Sequence, residues 1–202
     1  MTIKLYGNRG TRALRCYWVL EELEVPYEVQ TIDFRAGDNR TPEYLKINPN
    51  GKVPALTDGD LALFESAAIC AYLADKFPDK GLIPAAGTAE RATHDQWMYF
   101  CMSELEQPLW SMAKHKFVLP KEHRLPEMRS VATYEFGRVI PIVARALEGR
   151  DYLMGDSLTV ADIMVGQTLI WAQLIKAPIE SEVLDAYITR LKQRPAFARA
   201  NG

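Results

Sequence analysis

The chain has 202 residues, 48% of them hydrophobic, and its 24 basic residues are nearly balanced by 26 acidic ones. That length suits one large domain or two small ones. A net charge of -2 gives no general argument for nucleic acid or an anionic membrane as a partner. The sequence also lacks a membrane-spanning apolar run and a secretory signal pattern, so we expect a cytoplasmic protein without nucleic-acid or membrane partners.

The cysteines and histidines are few and scattered: Cys16, Cys70 and Cys101, and His94, His115 and His123. An odd number of cysteines without a C-x-x-C pair argues against a disulfide framework. The histidines are too far apart for metal-ligand spacing, so we expect no metal site. Cys16 recurs with Ala13, Tyr17 and Leu20 at helical spacing, which favours packing in a core.

The first eighty residues alternate between short extended runs and helical patterns. In chain order the patterns predict a strand at 3–6, a helix at 11–23, a strand at 27–32, a short helix at 41–47, strands at 53–56 and 61–64, and a helix at 66–77. The sequence Thr-Asp-Gly-Asp at 57–60 indicates a hairpin turn between the last two strands. The order βαβαββα predicts an α/β domain in which helices pack on a small mixed sheet.

The pattern changes at the segment 81–87, which has the composition of a linker, and beyond it only helices are predicted. We therefore expect an N-terminal domain at 1–81, a linker at 82–89 and an all-α domain at 90–202. Pro108 and Pro141 each lie where they can kink a predicted helix. Thr159 and Asp162 have the spacing of a capping box, a structural signal for a helix start. The last helix is predicted at about 181–193.

The dipeptide Val53-Pro54 falls inside an otherwise good strand, where proline is confined to starts, edges or bulges. One solution is a cis peptide bond at the start of the strand, which would turn the backbone of Val53 outward. Its N–H and C=O groups would then be able to pair with an extended, peptide-like ligand.

Glu65 and Ser66 stand directly before a helical stripe. Ser66 is a plausible N-cap, and the amides and positive potential of a helix N-terminus suit a carboxylate. Glu65 offers a partner for an ammonium group. A capped helix with an acidic start is the purely structural alternative.

The segment 7–16, GNRGTRALRC, combines a glycine-framed turn with a hydroxyl residue at a helix start. It lacks the lysine of a phosphate-binding loop and the glycine spacing of a dinucleotide site. A helix N-terminus favours anions, including a thiolate, whose parent thiol can have its pKa lowered in such surroundings.

Taken together, these segments resemble the glutathione transferase family over essentially the whole chain. The motifs that carry the resemblance are Leu5-Tyr6-Gly7 with Arg15, LEEL at 20–23, NPNGKVPAL at 48–56, LFESAAI at 63–69 and the capping box at 158–162. The resemblance implies a thioredoxin-like N-terminal domain, a helical C-terminal domain, a homodimer, and glutathione as co-substrate. The resemblance is greatest to the serine-type members (theta-like, bacterial), although this chain has threonine at the position of their hydroxyl residue.

By position in these motifs, Val53 would pair its backbone with the cysteinyl part of glutathione, next to a cis Pro54. Glu65 and Ser66 would hold the γ-glutamyl group, and Lys52 would meet a glutathione carboxylate. The catalytic hydroxyl has more than one candidate. Serine-type members place Ser where this chain has Thr11, and tyrosine-type members place Tyr at the end of the first strand, where Tyr6 lies. Asn8, backbone amides or no dedicated hydroxyl are further alternatives.

The implied function is conjugation of glutathione to an apolar electrophile after stabilisation of its thiolate. A glutathione-dependent isomerase, dehalogenase or peroxidase is an alternative, as is a non-catalytic binding or scaffold protein on the same fold. The electrophile would enter between the domains. Several apolar residues of the helical half are candidates to line that cleft, although core packing explains each of them as well: Trp97, Met102, Trp110, Met112 and Phe117.

Overall fold

The computed structural model describes residues 2–202 and divides into two units. One unit comprises the chain up to Ala85 together with Lys192–Gly202, and the other comprises Ala86–Leu191. No helix within residues 2–202 is long and apolar enough to cross a membrane.

The elements of the first unit follow the predicted order. They are β1 (Ile3–Tyr6), α1 (Ala13–Leu23), β2 (Tyr27–Gln30), α2 (Pro42–Ile47), β3 (Ala55–Asp58), β4 (Leu61–Phe64) and α3 (Ser66–Lys76). The second unit contains α4 (Ala89–Phe100), α5 (Glu106–Ala113), α6 (Met128–Ala146), α7 (Val160–Leu174) and α8 (Glu182–Lys192). A final helix, α9 (Pro195–Asn201), belongs to the first unit and was not predicted.

Within residues 2–202 the strands form one four-stranded sheet in the order β2-β1-β3-β4. β1 pairs in parallel with β2 and antiparallel with β3, and β3 pairs antiparallel with β4. The hairpin between β3 and β4 turns at Gly59, whose φ of 60° lies in the left-handed region that glycine adopts without steric cost. The α/β class predicted for this half is confirmed.

Two strands differ at their ends from the prediction. β2 ends at Gln30 rather than residue 32, because the side chain of Asn8 takes up both backbone groups of Ile32. The Asn8 amide donates to the Ile32 carbonyl and accepts the Ile32 N–H, both at 2.9 Å. β3 begins at Ala55 rather than Val53, directly after the proline that lacks a backbone donor.

The two faces of the sheet have different cores. Leu5 and Leu56, opposite each other in the β1–β3 pairing, are fully buried, and α1 and α3 pack together. A second cluster groups Tyr6 with Ile32, Tyr44 and Ala55. α2 places Tyr44 in this cluster, and it starts where Thr41 accepts the N–H of Tyr44 and Pro42 occupies the first turn.

The second unit is helical, as predicted, and α7 lies at its centre with twelve of its fifteen residues buried. The predicted capping box is confirmed, since the N–H of Thr159 donates to the carboxylate of Asp162 at 2.9 Å. Before Pro108 the helical path widens into a π-helical segment at 101–105 between α4 and α5. α6 continues through Pro141.

Candidate active site

Three loops meet at one edge of the sheet because of the strand register. Tyr6, the last residue of β1, pairs with Ala55, the first residue of β3, and Ala55 pairs with Phe64, the last residue of β4. The turn after β1, the loop before β3 and the start of α3 therefore leave the sheet side by side. The segments that were singled out separately in the sequence are brought together there.

Gly7 permits a close approach between the end of β1 and the start of α1. A Cβ atom on Gly7 would lie 2.5 Å from the Cβ of Ala13, 3.7 Å from that of Val53 and 3.8 Å from the Cα of Pro54. Its carbonyl accepts a hydrogen bond of 3.0 Å from the buried hydroxyl of Tyr17 in α1. The absence of a side chain at Gly7 thus lets the turn pack closely against Ala13 at the start of α1, while Val53 and Pro54 lie at ordinary van der Waals distance on its other side.

Thr11 lies in the turn just before α1, with a partly exposed side chain. Its hydroxyl donates to the carbonyl of Asn8 at 2.6 Å and accepts the N–H of Ala13 at 3.2 Å. Its own carbonyl accepts the N–H of Leu14. Thr11 therefore engages the first amides of α1, and the helix dipole is the feature of this turn that favours an anion.

Tyr6 has a different environment. Its ring is 8% exposed and contacts the ring of Tyr44 edge-on, with the centroids 6.0 Å apart. The Lys4 ammonium lies 5.2 Å from the Tyr6 centroid. The ring thus packs in the cluster on the α2 side of the sheet.

The peptide bond between Val53 and Pro54 is cis, as predicted. The pairings of β3 run from Ala55 to Asp58, so Val53 lies outside them. The preceding residue, Lys52, has an exposed side chain, and its carbonyl accepts two short hydrogen bonds, from the hydroxyl of Tyr44 at 2.6 Å and the amide of Asn48 at 2.7 Å. Val53 is thereby held at the end of an ordered loop.

Buried side chains fix the rest of this loop. The amide of Asn39 donates to the carbonyl of Gly51 at 2.7 Å, and the N–H of Gly51 donates to the carbonyl of Asn48 at 2.9 Å. Burial raises the pKa of Tyr44 to about 12, so its hydroxyl stays protonated as a donor at neutral pH. Sequence reasoning missed Asn39, Tyr44 and Asn48 as supports, although the Asn-Pro-Asn-Gly turn and the capped α2 were local signals for two of them.

Ser66 begins α3 and is 2% exposed, whereas Glu65 before it is exposed. The fully buried guanidinium of Arg15 in α1 donates to the Ser66 hydroxyl at 3.3 Å. Glu65 has φ 73° and ψ 115°, a left-handed backbone that is uncommon for a residue other than glycine. The Arg15–Ser66 contact, between residues far apart in the sequence, ties the start of α3 to α1.

The two cysteines of this unit are internal. Cys16 and Cys70 are fully buried between α1 and α3, with their sulfurs 3.9 Å apart. The full burial of Cys16 confirms its packing in the core, and this burial raises the pKa of its thiol well above the usual value, which keeps it protonated. Among residues 2–202, no group of three or more His, Cys, Asp or Glu side chains is arranged to hold a metal ion.

Sequence and structural comparisons place this architecture among known proteins. The family profile described as the N-terminal domain of glutathione S-transferase matches residues 1–75, and the profile for its C-terminal domain matches residues 123–199. A glutathione S-transferase of Hyoscyamus muticus is 30% identical, over 99% of this chain and 98% of its own.

Two solved structures have nearly the same fold. A glutathione transferase from Phanerochaete chrysosporium in complex with oxidized glutathione is 30% identical with a TM-score of 0.89, covering 98% of this chain and 94% of its own. A theta class glutathione S-transferase from Xanthomonas axonopodis pv. citri with glutathione bound is 32% identical with a TM-score of 0.83, covering 98% of this chain and 96% of its own. The chain belongs to the glutathione transferase family.

Proposed function

We propose that this protein binds glutathione at the edge of the sheet where the three loops meet, stabilises its thiolate and conjugates it to an electrophile. The observation that carries the proposal is the convergence of Gly7, Val53 and cis Pro54 beside a Ser66 that is fixed by Arg15. The relatives with bound glutathione support the choice of ligand.

Val53 would bind the cysteinyl part of glutathione through its backbone N–H and C=O. The loop that precedes Val53 is held by the side chains of Asn39, Tyr44 and Asn48, so little conformational freedom remains to be lost on binding. Lys52, exposed next to it, would pair with a glutathione carboxylate.

Glu65 and Ser66 would hold the γ-glutamyl group. The exposed carboxylate of Glu65 would pair with the ammonium of the γ-glutamyl group. The hydroxyl of Ser66, at the start of α3, would donate to the carboxylate of the same group. The left-handed backbone of Glu65 supports a binding role, because such conformations in residues other than glycine concentrate at ligand sites.

Thr11 is the first candidate for the hydroxyl that activates the thiol, and Tyr6 is the second. A hydroxyl that donates to a thiolate favours it over the thiol and so lowers the thiol pKa. Thr11 is partly exposed in the turn after β1, and rotation about its Cβ–Oγ bond would redirect to the thiolate the hydrogen that Asn8 otherwise accepts. The packing of Tyr6 against Tyr44 favours a structural role for that ring.

The apolar acceptor, the homodimer and the cytoplasmic location are part of the same proposal and rest on the family resemblance. The isomerase, dehalogenase and peroxidase alternatives would use the same glutathione-binding residues and differ in the second substrate and in the reaction.

Calorimetric titration with glutathione tests the proposal. We expect wild type to bind at millimolar concentration or below, and Ser66→Ala to weaken binding because it removes a partner of the ligand. Conjugating activity is measured in parallel with a panel of electrophiles. No heat of binding at millimolar glutathione would refute the proposed function, whereas binding without turnover of any electrophile would support a non-catalytic module.

A further inference from the structure

The connecting segment, residues 114–129, lies between α5 and the first turn of α6 and combines positive charge with exposed apolar side chains. It holds five basic residues and two acidic ones, a net charge of +3 in a chain whose total is -2. Its charged residues are Lys114, Lys116, Lys121, Arg124 and Arg129 against Glu122 and Glu127. Three large apolar side chains are exposed, Phe117 at 64%, Leu125 at 56% and Val118 at 45%. A surface that keeps several such side chains in water is a candidate interaction site.

The backbone of the connecting segment is fixed by hydrogen bonds. The segment begins with a π-helical turn, Lys114–Val118, a rare conformation that is frequent at functional sites. Arg124 braces this part of the chain, since its guanidinium donates to three carbonyls: those of Leu119 at 2.7 Å, Phe117 at 3.1 Å and Lys116 at 3.3 Å. The side chain of His115 accepts the N–H of Leu125 at 3.1 Å, which joins the two halves of the segment. The apolar side chains are therefore exposed on an ordered backbone.

Four of the five cations in the connecting segment remain available to a partner. Only Arg124 is engaged by backbone carbonyls. The other four are Lys114, which is half-buried, and the exposed Lys116, Lys121 and Arg129. None of these four forms an ion pair within residues 2–202. Their charges are therefore not neutralised by the rest of the described chain.

The two carboxylates of the segment do not adjoin the exposed ring of Phe117. The charged residues nearest to that ring along the chain are Lys114 and Lys116, which are both positive. Glu127 directly precedes α6, where the positive end of the helix dipole offsets its charge. Glu122 lies apart from the ring, in a short 3-10 turn. Positive charge thus predominates beside the ring.

An anionic phospholipid surface matches this combination of groups. Apolar side chains insert at the boundary between headgroups and acyl chains, while neighbouring lysines extend their ammonium groups to the phosphates. Nucleic acid matches it less well, because bases stack on aromatic rings and Phe117 is the only Phe, Tyr or Trp of the segment. A second copy of the chain also matches it less well, because two such segments would bring like charges together.

We propose that the connecting segment binds the surface of an anionic phospholipid membrane, with Phe117, Val118 and Leu125 inserted below the headgroups and the lysines at the phosphates. The contact is peripheral and reversible, and it does not depend on glutathione. The total charge of the chain predicts no membrane partner. Charges act on a surface only within about 8–10 Å at physiological salt, so the local charge of the segment decides instead.

Vesicle flotation with the full chain tests the proposal. The probes are vesicles of phosphatidylcholine alone and vesicles of phosphatidylcholine and phosphatidylglycerol in equal parts. We expect wild type to bind the anionic vesicles selectively, and less tightly as salt is added. Lys116→Gln should weaken binding by about fivefold, the contribution of one cation near an anionic surface. Phe117→Ala should weaken it by about tenfold, and Phe117→Trp should strengthen it, because tryptophan favours the membrane interface.

Lys46→Gln and Leu174→Ala are the matched controls, because each removes an exposed side chain of the same kind outside the segment. Both should bind the anionic vesicles like wild type. Equal binding to the two kinds of vesicle, binding to neither, or segment variants that behave like the controls would overturn the proposal. Anisotropy with a labelled DNA duplex and analytical ultracentrifugation examine the other partners. Binding to the duplex but not to vesicles, or a changed oligomeric state in Phe117→Ala, would also overturn it.

Discussion

The hydroxyl of Thr11 illustrates how one atom links the fold to the chemistry. At rest it donates to the carbonyl of Asn8 and accepts from Ala13, so it also orders the start of α1. Substitution of Thr11 therefore has two separable effects, one on the structure of the turn and one on the pKa of the bound thiol. Serine keeps both hydrogen bonds and loses only a methyl group, which makes it the conservative variant.

We expect Thr11→Ala to lower kcat/KM for conjugation by about tenfold to a hundredfold, because a hydrogen bond to a charged group contributes about 1.5–3 kcal/mol. Thr11→Ser should stay close to wild type, and Tyr6→Phe should change the rate by less than about threefold. Steady-state kinetics at saturating glutathione measure all three. A large loss in Tyr6→Phe together with an unaffected Thr11→Ala would transfer the role to Tyr6.

At the scale of elements, the loop between α2 and β3 depends on a glycine. Gly51 has φ 61°, and a Cβ there would lie 2.8 Å from the carbonyl oxygen of Asn39 and 3.0 Å from the Arg40 side chain. Gly37 has a comparable φ of 84° but open space around its Cβ position. Comparing alanine substitutions at Gly51 and Gly37 therefore separates the cost of a strained backbone from the cost of a steric clash.

We expect Gly51→Ala to lower the free energy of unfolding by about 1–3 kcal/mol more than Gly37→Ala, because only the former adds a clash to the strain. It should also weaken glutathione binding, since the displaced loop carries Val53. Urea denaturation and calorimetry measure the two effects. Equal destabilisation by both variants would show that the contact with Asn39 does not constrain the loop.

Helices α4 and α7 are joined by a buried histidine. The Nε2 atom of His94 accepts the N–H of Ala161 at 3.3 Å, and its Nδ1 lies 3.1 Å from the Asp95 carboxylate. Burial lowers the pKa of His94, although Asp95 opposes the shift. A protonated ring would lose the acceptor that Ala161 needs.

The unfolded chain protonates His94 at about pH 6.5, and the folded protein does so only at lower pH. The unfolded state therefore binds more protons in that window, and stability falls as the pH drops below about 6.5. His94→Gln keeps an acceptor but cannot titrate, so it should flatten this dependence in urea denaturation. His123→Gln, at an exposed position, should retain it. If stability depends on pH in His94→Gln as it does in wild type, His94 is excluded as the source of that dependence.

Elements defined by local sequence patterns could be predicted, whereas features that depend on contacts between distant residues could not. β1 and β4 matched the predicted bounds, because local alternation of apolar residues defines them. β2 ended early because of the side chain of Asn8, a residue 24 positions away from Ile32. The contact of Arg15 with Ser66 likewise joins residues 51 positions apart, so no local pattern could reveal it.

At the scale of the whole molecule, both ends of the chain contribute to the first unit. α9 packs on α1, where the ring of Phe197 contacts the fully buried Trp18 at 4.8 Å between centroids. Arg194 forms a paired hydrogen bond with Glu22, and Arg9 of the turn after β1 donates to the carbonyl of Ala200. The last nine residues thus support the helix and the turn on which the proposed thiol chemistry depends.

We expect Phe197→Ala to lower the free energy of unfolding by about 2 kcal/mol, because it removes a half-buried aromatic partner of Trp18. Leu174→Ala is the control, since that side chain is 77% exposed and should change stability by less than about 0.5 kcal/mol. Thermal and urea denaturation measure both. Similar stability of the two variants would mean that α9 contributes little to the first unit.

The central claim is that the protein turns bound glutathione into a thiolate at neutral pH. Ultraviolet titration of the thiolate absorbance in the complex tests it directly, with free glutathione as the reference. A free thiol has a pKa of about 8.5, and we predict that the bound thiol has a pKa at or below about 7.5. The shift should shrink in Thr11→Ala. A bound thiol that titrates at the same pH as free glutathione would contradict the account.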